Sequence, residues 1–136
     1  MVRMKTASAI LCGMLIAAGC AMTATSPVKY ADGVMVNMTG MTVYTYDKDP
    51  AGAGKSVCNE KCAVNWPPVG AAADSQARGD FTVITRDDGS RQWAYKGQPL
   101  YLWIKDQKPG DKTGDGVGKV WHVIKQPQGG GGGSMY

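Results

Sequence analysis

A chain of 136 residues, 43% hydrophobic and 19% charged, has material for one modest domain with a single core. Its 15 basic residues are scattered among 11 acids for a net +4, which gives no basic stripe of the kind that tracks a nucleic-acid backbone. The first residues set the compartment. Arg3 and Lys5 precede a 12-residue apolar stretch at 7–18, the layout of a secretory signal peptide and too short for a spanning helix of about 20 residues.

Small residues Ala17-Ala18-Gly19 lead directly into Cys20, which fits a bacterial lipobox, although Ala17 stands where Leu is more usual. Cleavage after Gly19 would leave a lipid-bearing (palmitoylated) Cys20 and 117 residues anchored to the membrane in the cell envelope, on a periplasmic or outer-membrane face. The alternative is cleavage near Ala24 and a soluble periplasmic protein. Export also argues against nucleic acid as a partner. Once Arg3 and Lys5 leave, the net charge falls to about +2.

Residues 20–27, small and polar with one proline, read as a tether, and 28–126 as the folded domain. Strand signals dominate it. Segments 28–30 and 34–36 flank Asp32-Gly33, a two-residue hairpin turn. Met35, Met38 and Met41 have a spacing that can offer thioethers to Cu(I), but on a strand Met38 faces away from the other two, and methionine is also an ordinary core filler.

Segment 41–46 is a β-branched and aromatic strand, and it has a copy. Glycine, three residues, then Tyr-x-aromatic-x-x-Asp occurs at Gly40, Tyr44, Tyr46 and Asp49 and again at Gly97, Tyr101, Trp103 and Asp106, offset by 57. A tryptophan, Trp66 or Trp121, follows each copy by about 20 residues. Each glycine should sit in a turn with positive φ, and each aspartate should accept backbone N–H bonds in the loop after its strand. As architecture the motif is an aromatic core with a loop latch; as a binding site it would offer rings for stacking.

Between the copies, 53–56 carry Ala-Gly-Lys-Ser, which fails the phosphate-loop spacing because Asp49 stands at its first glycine. Ser56 is the expected N-cap of a short helix at 57–64, stopped by Trp66-Pro67-Pro68. In an oxidising compartment Cys58 and Cys62 should bond to each other and pin a local turn. The competing reading joins both thiolates to His122, the single histidine, as a copper or zinc site.

Segments 81–86 and 91–95 surround a turn at 87–90. Next comes 99–104, where Leu100, Leu102 and Ile104 alternate with Tyr101 and Trp103; two bulky apolar faces predict a central strand. Asp106, Asp111 and Asp115 recur in a Gly-rich loop that could wrap calcium, but its spacing departs from the EF-hand pattern and two lysines intrude. A strand at 120–124 closes the domain. The tail 127–136, with five consecutive glycines, should be disordered. No nucleophile motif accompanies the lone histidine, so no enzyme is indicated.

Taken in order, these residues resemble a bacterial family of predicted lipoproteins with a conserved Tyr-x-(Phe/Trp/Tyr)-x-x-Asp motif, also described as a secreted repeat of unknown function. The resemblance spans 30–125. It rests on the two motif copies, on Cys58, Cys62 and Trp66-Pro67-Pro68, on 80–86, on 92–101 with Trp93, Tyr95 and Pro99, and on 114–122 with Trp121-His122. It implies a repeat pair, an envelope location and no established activity. The expectation is a mainly β protein: a small antiparallel β domain of two related repeats with one short helix or turn around 58–64. It would act as a non-catalytic binding or interaction module; the alternative is a copper-binding or redox role. Only the first half carries the cysteines, and only the second carries His122 and the Asp/Gly loop, so a site is expected where these unshared features meet.

Overall fold

The structure, a computed structural model, describes residues 26–128. The signal peptide, Cys20, and most of the tether and tail lie outside them. The described residues hold β1 (Val28–Ala31), β2 (Val34–Asn37), β3 (Tyr44–Tyr46), α1 (Lys61–Asn65), β4 (Phe81–Thr85), β5 (Arg91–Tyr95), β6 (Gln98–Pro99), a 3-10 turn at Val117–Lys119 and β7 (Trp121–Val123). All strand pairs are antiparallel: β1 with β2, β3 with β7, and β4 with β5 with β6. The fold is mainly antiparallel β, as the strand signals and the repeat pair predict.

The first hairpin forms where the sequence places it. Asp32 and Gly33 both take positive φ, 49° and 78°, the pair of left-handed residues that a tight hairpin needs to match strand twist. Bridges from Val34 to Lys125 and from Val36 to Thr42 carry the hairpin onto the end of the chain and onto the approach to β3.

Both motif strands are shorter than the sequence suggests. The second one changes partner at each residue: Leu100 N–H donates to Trp93 O, Tyr101 N–H to Tyr44 O and Leu102 N–H to Pro67 O. Tyr101 is thus flanked on both sides, bridged to Tyr44 and to Pro68, without belonging to a continuous strand. The expected inward alternation stops before Ile104, which lies in the following turn and is 55% exposed.

The helix also differs from its sequence reading. It occupies Lys61–Asn65, and its N-cap is Glu60, with no side-chain capping bond. Ser56 does not cap it because its hydroxyl is buried in a polar network: it receives the Cys58 N–H (3.2 Å) and an Arg86 N–H (3.0 Å). The stop is where expected, with Trp66 N–H donating to Cys62 O ahead of the two prolines.

Period-2 alternation splits the interior into two cores. Val43 and Leu100 face a core with Val28, Met35, Val69 and Trp93. Their neighbours Tyr44 and Tyr101 face the opposite one, with Cys58, Trp66 and Trp121.

Candidate functional site

At the centre the two copies of the motif meet each other. Tyr44 and Tyr101 exchange both backbone hydrogen bonds, Tyr44 N–H to Tyr101 O at 2.8 Å and Tyr101 N–H to Tyr44 O at 3.0 Å. Their side chains then cross over. Tyr44 Oη donates to Asp106 Oδ2 (2.6 Å), the aspartate of the other half, while Tyr101 Oη donates to Asp49 Oδ2 (2.5 Å). The second oxygen of each aspartate holds its own loop: Asp49 Oδ1 accepts Val57 N–H, and Asp106 Oδ1 accepts the N–H and hydroxyl of Thr113. The aspartates therefore latch loops, as the motif suggests, and also bind the tyrosine across the axis, which the motif alone does not reveal.

The rings repeat the crossing. Tyr46 stacks on Trp121 at 4.2 Å, Trp121 on Trp66 at 3.7 Å, and Trp66 on Trp103 at 3.9 Å, giving a four-ring stack that alternates between the halves. Tyr44 and Tyr101 meet Trp66 and Trp121 edge-on at 5.4 and 5.2 Å. Gly114 fits where a Cβ would come within 2.9 Å of both Trp66 and Tyr44 and 3.0 Å of Trp103.

Burial first, then the bond to Asp106 or Asp49, holds both phenols well above the ordinary tyrosine pKa. Burial also raises Asp49, against the pull of the Tyr101 hydroxyl, the Val57 N–H and the Arg86 charge. Arg86 is buried and ties the 56–59 segment of the first half to Gln92 on β5 of the second. One of its nitrogens donates to Ser56 Oγ (3.0 Å) and Gln92 Oε1 (2.7 Å), the other to Cys58 O and Asn59 Oδ1. Ser56 Oγ also lies 2.6 Å from Tyr101 Oη, so the chain of polar contacts is continuous from Arg86 to Asp49. These side chains are in the interior and hold one another; they form an internal scaffold.

The remaining candidates are dispersed. Cys58 and Cys62 are joined by a disulfide, with Cys58 fully buried. His122 Nε2 faces Asp47 Oδ2 at 2.7 Å on the surface. Met35 is buried in the first core, whereas Met38 is 51% exposed. Asp111 takes the N–H groups of Gln107 and Lys108, which hold its carboxyl below the usual range, and Asp115 takes that of Val123. Among the described residues no three His, Cys, Asp or Glu side chains gather to hold a metal ion. Nor is any helix there long and apolar enough to cross a membrane.

A cleft of about 540 Å³ opens elsewhere. Ser26, Val28, Lys29 and Tyr30 of the β1 side line it, with Phe81 of β4, Tyr95 of β5 and the turn Arg78-Gly79-Asp80. That turn is fixed by reciprocal bonds, Arg78 N–H to Phe81 O at 2.8 Å and Phe81 N–H to Arg78 O at 2.9 Å, with Gly79 at φ 54°. Asp80 O also accepts the Lys96 N–H, which ties the turn to the end of β5. Tyr30 Oη and Arg78 Nη1 are withdrawn from solvent with no hydrogen bond of ordinary geometry among the described residues. Burial, the neighbouring Tyr95 and the Asp80 charge raise the Tyr30 phenol.

None of the motif residues, cysteines, methionines or His122 lines this cleft, so it does not lie where the unshared features of the two halves were expected to meet. Its walls come from three separated segments, and only their folding brings them together. The one signal in the sequence was Arg78 and Asp80 set around a turn glycine ahead of a strand.

No curated protein and no solved structure matches the chain. A family model described as a secreted repeat of unknown function matches it twice, over residues 26–70 and 82–125, one match for each half of the crossed centre. The duplicated motif, the reciprocal pairing of its halves and this double match place the chain in that family of secreted repeats.

Proposed function

We propose that the protein is a lipid-anchored, non-catalytic binding module of the cell envelope and that the cleft between β1 and the Arg78–Phe81 turn is its binding site. One observation carries this reading: a preformed cleft with aromatic walls is lined by Arg78, whose buried Nη1 has no partner among the described residues, and by Tyr30, whose hydroxyl has no hydrogen bond of ordinary geometry there. Buried polar groups are nearly always satisfied, and an unmet one costs about 1–3 kcal/mol, which a ligand can recover. A cleft of this size falls in the range of about 300–1,000 Å³ typical of small-molecule sites.

Support for a non-catalytic role comes from the groups that could have done chemistry. Ser56 is locked in the interior network, and His122 is paired with Asp47 at the surface. The anchor rests on Cys20 after Ala17-Ala18-Gly19. Ser26, which lines the cleft, stands six positions after Cys20 in the sequence.

Native mass spectrometry of the purified protein, incubated with small-molecule extracts of the envelope, tests the site. Retained masses that disappear in a combined Arg78→Gln and Phe81→Ala variant support it; retention unchanged in that variant removes it. Cys20→Ala should move the protein from membrane to soluble fractions, as read by fractionation. Continued membrane association would refute the anchor.

A further inference from the structure

We infer that the ligand class of this cleft is a compact aromatic monocarboxylate. The inference rests on the binding reading above and deepens it. Three features of the lining select this chemistry.

The first is the body of the ligand. Phe81, Tyr95 and Tyr30 line the cleft together with Val28. Phe81 lies 5.0 Å from Tyr95 at 37°, a tilted pair of rings among the cleft's lining residues. Aromatic bodies gain offset or edge contacts there that an alkyl chain lacks.

The second is the head group. Arg78 Nη1 can only donate and has no acceptor among the described residues, and the Tyr30 hydroxyl, next to Tyr95, is a second donor. Two donor side chains lining one cleft suit an acceptor with two oxygens, and a guanidinium matches a carboxylate in geometry as well as charge. The turn bonds that fix the Arg78 backbone leave its side chain to adjust by rotation, a common change on binding.

The third is charge. Lys29, Arg78 and Asp80 all line the cleft, a net of one positive charge. One negative charge on the ligand balances it. A phosphate dianion would overcompensate and meet the Asp80 carboxylate, and a neutral ligand would leave Arg78 without a counter-charge. The cleft volume of about 540 Å³ suits a hydroxybenzoate or hydroxycinnamate and leaves room for water.

Trp93 provides the readout, since its ring lies 6.4 Å from that of Phe81, edge to face. The test titrates the full-length protein in detergent with 4-hydroxycinnamate, its neutral amide, octanoate and inorganic phosphate, following Trp emission and heat. The expected result is at least tenfold tighter binding of 4-hydroxycinnamate than of the other three. Arg78→Gln should weaken it at least tenfold and Tyr30→Phe several-fold, while Lys55→Gln leaves it unchanged; thermal melts verify that each variant is folded. Equal binding of the amide, or full affinity in Arg78→Gln, overturns the carboxylate assignment. Equal binding of octanoate overturns the aromatic one, and phosphate binding as well as 4-hydroxycinnamate overturns the choice of ligand class. If none of the four binds, the ligand class is wrong. The mass-spectrometry result then decides separately whether the cleft reading falls with it.

Discussion

Tyr44 shows how much a single side chain does here. Its backbone pairs with Tyr101, its ring packs edge-on against Trp66, and its hydroxyl binds Asp106. Tyr44→Phe should cost about 1–3 kcal/mol, because it keeps the ring but leaves a buried carboxylate oxygen without its donor. It should also change the response to alkali. Both central phenols keep their protons in the folded state above the ordinary value of 10.0, while the unfolded chain releases them there. The unfolded state then binds fewer protons, so stability is intact below pH 10 and falls above it by about 1.4 kcal/mol per pH unit for each tyrosine. Denaturant titrations between pH 9 and 11 should show Tyr44→Phe with a slope shallower by one such increment; an unchanged slope would mean that the Tyr44 phenol ionises as freely as in water. Gly114 is decided by space alone. A methyl there meets three aromatic rings at about 3 Å, so Gly114→Ala should lose about 1–3 kcal/mol and disturb the Trp signals in near-UV circular dichroism. A melting temperature equal to wild type would show that the stack yields easily.

Most of the fold could be read from short sequence patterns, and the exceptions have physical causes. The Asp32-Gly33 hairpin and the β4–β5 pair formed where period-2 runs and turn residues put them, since those signals are local. The length of the second motif strand was not local information. Pro99 has no N–H to give, and residues 100–102 find their partners in three different segments, so strand chemistry is satisfied without a strand. Ser56 departs from its expected helix-cap role for a related reason. A serine ahead of a helix signal caps only if nothing else claims its hydroxyl, and Arg86 and Tyr101, 30 and 45 residues away, claim this one. The cleft was the least legible part, because Tyr30, Arg78 and Tyr95 are unremarkable in their own segments and acquire meaning only through β1 lying beside β4 and β5. The disulfide belongs to this scale as well. It closes a loop of only a few residues, so replacing both Cys58 and Cys62 with Ser should cost about 2 kcal/mol in urea titration and leave the sheet pairings intact. Wholesale unfolding would show that the bridge organises more than its own turn.

At the scale of the whole molecule, the repeats do not behave as stacked units. In solenoids each repeat touches only its neighbours and can unfold by steps. Here each half supplies the aspartate for the other's tyrosine and alternate rings of the shared stack. Heat or urea should therefore unfold the domain in one transition, with far-UV circular dichroism and Trp fluorescence coinciding. Two separated transitions would show that one half persists alone. The crossing also carries a historical consequence. Because each half contains both a tyrosine and the aspartate that suits its counterpart, a single half could satisfy every one of these bonds by pairing with an identical copy about a two-fold axis. The present arrangement has the geometry expected of such a symmetric dimer carried in one chain. Two copies joined in one chain need not stay identical: here the disulfide lies in the first half only and Arg86 in the second only.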